Sequence, residues 1–132
     1  MSNHYWYLAT PYAKYPIGKH DAFIEACRQT ALLLKSGIPV FSPIVHNHPL
    51  SLVKEMECVV GDSEFWITKV DLPMMHNAKG LIVCMMESWE ESEGIKYERK
   101  FFAESGKPII YLMPGEVETE LKQFLTKEGV EA

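Results

Sequence analysis

The chain has no CxxC pair, no glycine-rich phosphate loop, no basic excess and no long apolar run. Each absence removes a class of protein. Its three cysteines, Cys27, Cys58 and Cys84, are odd in number and widely spaced, which points to a reducing compartment and not to a disulfide framework. The longest apolar run, Leu81 to Met86, falls far short of the ~20 residues that span a bilayer. The opening MSNHYWYLATPY lacks a basic stretch leading into an apolar one, so no signal peptide is expected and the protein reads as soluble and cytoplasmic. Thirteen Lys and Arg against eighteen Asp and Glu give a net charge of −5, which argues against polymeric nucleic acid as a partner. A small anionic ligand stays open, because it needs only a local positive spot.

What is present is ordinary globular material. With 47% hydrophobic and 23% charged residues over 132 positions, one domain spanning residues 1–132 is expected. A chain of this size buries roughly two-thirds of its unfolded surface and needs no metal or disulfide to hold a core.

Short apolar runs alternate with helical patterns. Tyr5–Ala9, Ile38–Phe41, Gly80–Met86 and Pro108–Leu112 read as strands buried on both faces. A helix is expected from about Gly18 to Ser36, with Phe23, Ile24, Cys27, Ala31 and Leu34 as its apolar face and Gly37 ending it. His46 to Cys58 reads as loop plus a short helix. Asp62 is placed to cap a helix carrying Phe65, Trp66, Ile67 and Val70, which Pro73 breaks or restarts. Ser92 opens a helix that ends at Gly106, and Gly115 precedes an amphipathic C-terminal helix through Leu121, Phe124 and Leu125. Alternating strands and helices predict a doubly wound α/β domain with four or five parallel strands. Such sheets bind ligands beyond the carboxyl ends of their strands, here at residues 9–19, 42–49 and 86–94.

One carboxylate sits against this grain. On the helix after Ser92, Gly94, Ile95, Phe101, Phe102 and Ser105 share a face, and Glu98 lies in its middle, while Glu93, Lys96 and Lys100 take the opposite side. Burying a charge is costly unless it is paired or used. Glu98 is therefore either salt-bridged at the helix edge or chemical, and Gly94 one turn earlier leaves room for a ligand. Asp71, beside Pro73, either caps the restarted turn or joins Glu98 in a pair that divides nucleophile and proton duties.

Other candidates carry two readings each. Ser92 with Gly94 is a helix N-terminus that suits a phosphate, or a plain cap. Thr10, Pro11 and Tyr12 form a loop that can hold a nucleotide edge, although it is no P-loop. His46-Asn47-His48 on an extended segment can bind a metal but lacks a persuasive third ligand, so polar contact with a ligand, or a solvated loop, is the preferred reading. Trp66 and Trp89 either stack on a base or pack in the core. Cys84, inside a strand, is expected to be inert.

The YLATPY segment (Tyr7 to Tyr12), Asp71 ahead of an apolar strand, and SWEESEGIKYE (Ser88 to Glu98) together resemble the nucleoside 2-deoxyribosyltransferase-like superfamily, which includes nucleotide N-glycosidases. FSPIVHNHPL (Phe41 to Leu50) is most similar to a small bacterial and phage group within it, domain of unknown function 1937. The resemblance covers about residues 5 to 113, and Ser92-x-Gly94-x-x-x-Glu98 is its most specific part. It implies a flavodoxin- or Rossmann-like three-layer fold and a ligand of base plus (deoxy)ribose, often with a 5′-phosphate. Glu98 matches the family nucleophile and Asp71 the aspartate that assists proton handling. Tyr7 and Thr10–Tyr12 match the segment lining sugar or base, and Ser92 with Gly94 the phosphate-holding helix start. Characterised transferases often carry an aspartate where Ser92 stands, so its absence points to a 5′-phosphorylated substrate and away from free nucleosides. His46 and Trp66 belong to the closer group. The chemistry so implied requires no metal or redox cofactor, and the family usually assembles as dimers or larger, a role to which Trp89 or the C-terminal helix is suited. The expected activity is N-glycosidic bond cleavage in a nucleoside 5′-monophosphate, by hydrolysis or, as in a deoxyribosyltransferase, by base transfer. The alternatives are a non-catalytic nucleotide-binding or sensing domain and a histidine-ligated metal hydrolase.

Overall fold

A computed structural model describes residues 4–116. The C-terminal helix expected after Gly115 lies outside the described residues. Four strands, β1 (Trp6–Ala9), β2 (Val40–Phe41), β3 (Gly80–Cys84) and β4 (Ile109–Leu112), form one sheet in the order β2-β1-β3-β4. All three pairings are parallel: Trp6 lies opposite Val40 and Gly80, and Leu81 opposite Ile109. The helices are α1 (Lys19–Lys35), α2 (Pro43–Leu50), α3 (Ser63–Trp66), α4 (Leu72–Asn77) and α5 (Glu93–Glu104). A 3-10 turn spans Lys54–Val59, and a π-helical turn, Ile67–Asp71, joins α3 to α4.

The strands bury both faces, as their unbroken apolar runs require. Trp6 and Leu8 join Ile82, Cys84 and Leu33 of α1 on one side, while Tyr7 and Ala9 join Leu81, Val83, Met75 of α4, and Ile95 and Phe102 of α5 on the other. The result is a three-layer Rossmann- or flavodoxin-like α/β domain. Gly80 is required where β3 passes β1 and the start of β4. A Cβ there would lie 2.5 Å from the Trp6 ring and 2.8 Å from the Pro108 carbonyl oxygen.

Several expectations need correction. The helix α1 buries Ala22, Ala26, Gln29 and Leu33, one position out of phase with the apolar set 23, 24, 27, 31 and 34, and Leu34 is exposed. Small alanines let the helix axis approach the sheet closely, while bulky Phe23 turns to stack on His48. The third strand stops at Cys84, short of Met86, and β2 holds only two residues. Pro73 does not break the helix: α3, the π turn and α4 run on continuously. A proline ring clashes with the carbonyl four residues earlier, and the wider π turn just before it relieves that crowding. Residues 43–50 are helical, not extended. Ser105, placed with the packed face of α5, is exposed at its C-terminus.

Candidate active site

In a sheet ordered β2-β1-β3-β4, the connections leaving β1 and β3 run to opposite sides, so a crevice opens between their carboxyl ends. There the structure has a cleft of about 730 Å³. Thr10, Tyr12 and Lys14 follow β1, Pro43, Ile44, Asn47 and His48 come from α2, and Ser92, Gly94 and Glu98 from α5. Leu52, Val60, Trp66 and Ile67 add an apolar wall, and Asp71 completes the floor with Glu98.

The α5 helix places Glu98 through the i, i+3, i+7 series Ile95, Glu98, Phe102, all buried against the sheet. Its start is fixed by Ser92, whose Oγ accepts the Ile95 N–H at 3.2 Å. Glu98 is 9% exposed. No lysine or arginine pairs with it among the described residues, where the ion pairs use Glu25 and Glu93 instead. Burial, and then the nearby Asp71 carboxylate, hold its carboxyl well above the usual glutamate range. The Tyr7 hydroxyl beside it offers partial relief, yet closes no hydrogen bond of ordinary geometry.

Asp71 ends the π turn, a feature that often re-aims a side chain at functional sites. It caps nothing; instead its Oδ1 accepts from Asn47 Nδ2 at 3.0 Å. Burial raises its carboxyl too, offset in part by that Asn47 donor and by the charge of His46. Asn47 is itself held by His46, whose Nδ1 lies 2.7 Å from Asn47 Oδ1.

Two buried hydroxyls in this region have no partner. Tyr7 Oη sits beneath the two carboxyls, and Thr10 Oγ1 lies in the cleft wall. Burying a hydroxyl unsatisfied costs about 1–3 kcal/mol, so such groups call for an explanation, and a ligand that bonds them supplies one.

Of the residues expected at the site, Thr10, Tyr12, Trp66, Asp71, Ser92, Gly94 and Glu98 line the cleft, and Tyr7 lies under it. A Cβ on Gly94 would meet only Ser92 Oγ, at 3.8 Å, so the space above that glycine is open. Three residues fall elsewhere. Pro11 is buried within its loop, and His46 is exposed and acts on the site from outside, through Asn47 and through its charge near Asp71. Trp89 packs outside the cleft with Tyr111, at 5.8 Å between ring centroids, and with Arg99. On helical α2 the imidazoles of His46 and His48 stand two residues apart and face different sides, so they form no chelating pair. Among the described residues no group of three or more His, Cys, Asp or Glu could hold a metal ion. Cys84 is buried, and desolvation pushes its thiol up to about 12.

The sequence reading singled out His46-Asn47-His48 as one polar segment but named only His46 as a site residue, and it missed the Ile44–Leu52–Val60 wall. Asn47 and His48 lie in α2, the helix after β2, and their partners are set by tertiary contact.

Fold and cleft together define a class: a parallel α/β domain that holds a buried glutamate and a half-buried aspartate at its topological switch point. The chain belongs to the family described as domain of unknown function (DUF1937), whose model matches residues 4–113. A search of curated proteins finds no match. Among the described residues, no helix is long and apolar enough to cross a membrane.

Proposed function

We propose that the protein cleaves the N-glycosidic bond of a nucleoside 5′-monophosphate, with Glu98 as nucleophile. The observation that carries this reading is a glutamate buried without a cation on the floor of an open cleft. Its missing counter-ion is one that the reaction creates. Breaking the C1′–N bond builds positive charge on the sugar ring, which an adjacent carboxylate stabilises or traps covalently.

The two carboxyls share a proton, and the reactive form is the one in which Asp71 holds it for the departing base and Glu98 is ionised. As C1′–N breaks, its electron pair goes to the base nitrogen, which takes that proton, while the Glu98 oxygen closes on C1′. Water then attacks C1′, releases Glu98 and returns a proton to Asp71; a second base in place of water gives transfer. The α5 N-terminus at Ser92 and Gly94 receives the 5′-phosphate through its free N–H groups. The apolar wall of Ile44, Leu52, Val60, Trp66 and Ile67 takes the base. No metal or redox cofactor enters the scheme. The resemblance of the Ser92–Glu98 motif to nucleotide N-glycosidases supports the same chemistry, and with it a cytoplasmic dimer or larger assembly.

The test is free-base release from a panel of ribo- and deoxyribonucleoside 5′-monophosphates, followed by chromatography. Release by the native protein that Glu98→Ala abolishes is expected. No release from any member, or release unaffected by Glu98→Ala, overturns the proposal. Saturable binding without release would instead mark a nucleotide sensor.

A further inference from the structure

Opposite the carboxylates, the cleft wall carries a tyrosine–histidine pair that the scheme above does not use. The Tyr12 hydroxyl lies 2.6 Å from His48 Nδ1, and both residues line the cleft. His48 is 7% exposed and is clamped by Phe23, whose ring stacks on the imidazole with centroids 4.5 Å apart. Two further side chains flank the pair: Lys19, with Nζ 5.4 Å from the Tyr12 ring centroid, and His20, 6.0 Å from His48 between ring centroids. Burial, and then His20 and Lys19, lower the His48 pKa and favour the neutral imidazole.

A neutral imidazole leaves two ways to share the proton, and the geometry separates them. Bonds donated by N–H to oxygen cluster near 2.9–3.0 Å, while those donated by O–H run shorter. At 2.6 Å the pair fits the second kind. The phenol is also the stronger acid of the two. Tyr12 therefore donates to Nδ1, and the ring proton of His48 sits on Nε2. The neighbouring Ser51 hydroxyl gives its own hydrogen to the His48 carbonyl at 2.6 Å, so with its only hydrogen spent on His48 the Tyr12 oxygen can do nothing toward the cleft but accept.

We propose that Tyr12, locked in this way by His48, is the specificity-determining group of the cleft and selects ligands that bring a hydrogen-bond donor to it. An exocyclic amino group on the base and a sugar hydroxyl share that chemistry; a ring carbonyl or a deoxy position lacks it. Nearby Thr10 Oγ1, 4% exposed and unpartnered, can give or take a hydrogen and does not discriminate. The inference rests on reading the cleft as a nucleotide site and goes on to name which nucleotides fit.

Calorimetric titration of the Glu98→Gln protein, which binds without turnover, tests it. One arm pairs adenosine with inosine 5′-monophosphate and cytidine with uridine 5′-monophosphate; the other pairs each ribonucleotide with its 2′-deoxy form. In one arm the donor-bearing member is expected to bind about tenfold more tightly, or better, because its partner leaves an acceptor unpaired. Adding Tyr12→Phe should bring the two members to near-equal affinity. Equal affinities in both arms, or a preference that survives Tyr12→Phe, overturn the inference while leaving the cleft a nucleotide site. Absence of binding by every nucleotide overturns both. Nitrogen NMR of the His48 ring gives a readout independent of any ligand. Nδ1 should be the bare nitrogen in the native protein, and a proton found there refutes the lock.

Discussion

Replacing Glu98 by glutamine should make the protein more stable while destroying the proposed chemistry. The gain has a signature in pH. Glu98 has an ordinary value of 4.5, raised in the folded protein by burial and by Asp71. The folded state therefore favours the protonated acid, and its full stability is present below pH 4.5. As the pH rises, the unfolded chain ionises first, and stability falls by about 1.4 kcal/mol per pH unit until the folded group itself titrates. Glutamine carries no such loss. The difference between variant and native protein should thus be flat in acid and then widen by that slope. At pH 7, two and a half units above the ordinary value, it reaches at most about 3 kcal/mol. That is a large part of a typical domain stability of roughly 5–15 kcal/mol. Any intrinsic penalty for the buried amide shifts the whole difference without changing its slope. Urea denaturation of both proteins between pH 4 and 8 measures it, and the pH at which the difference levels off is the folded pKa of Glu98. A difference independent of pH, or one that shrinks as pH rises, would refute the description of Glu98 as a buried carboxyl without a cation.

Asn47→Ala should raise the Asp71 pKa further, because the amide donor that lowers it is gone. The alkaline limb of a base-release profile would move to higher pH, and an unmoved limb would show that Asn47 does not tune Asp71. Gly94→Ala should leave folding intact or improve it by a few tenths of a kcal/mol, since alanine is the better helix former and its Cβ meets open space. Nucleotide affinity should nevertheless fall, and calorimetry that finds it unchanged would place the phosphate elsewhere. Lys107→Met should cost about 2–3 kcal/mol in urea denaturation. Its Nζ donates to the carbonyls of His76 and Ala78, at 2.7 Å each, and of Met75 at 3.3 Å, joining the end of α4 to the turn before β4.

How much of this could be read from residues alone varied with the kind of information each segment carries. The strands β1 and β3 were legible because burial on both faces demands an unbroken apolar run, and only such runs are present there. Glu98 was legible because helical spacing places it between Ile95 and Phe102. The face of α1 was not, since alanines 22 and 26 are small and give a weak apolar signal even where the helix touches the sheet. Phe23 looked like core and instead braces His48. The α2 helix was hidden by HNHP, in which polar residues and an internal proline oppose the helical pattern, while Ser42, capping Val45 N–H, and Pro43 at the first turn secure its start. The π turn follows from Pro73 and could not be told from a break without the structure. The pairing of Asn47 with Asp71 joins residues 24 apart, and no local pattern encodes it.

The central position of β1 also has a consequence for how the chain comes to be folded. Its neighbours are β2 and β3, so the second edge of β1 stays open until residues 80–84 have emerged from the ribosome. Until then Trp6, Tyr7, Leu8 and Ala9, all buried in the finished protein, have half a sheet to shelter in. Parallel pairing at such sequence separation is slow to form and exposes sticky edges meanwhile. The protein's demand on chaperones should therefore concentrate between the synthesis of β1 and that of β3, and end as β3 docks beside β1.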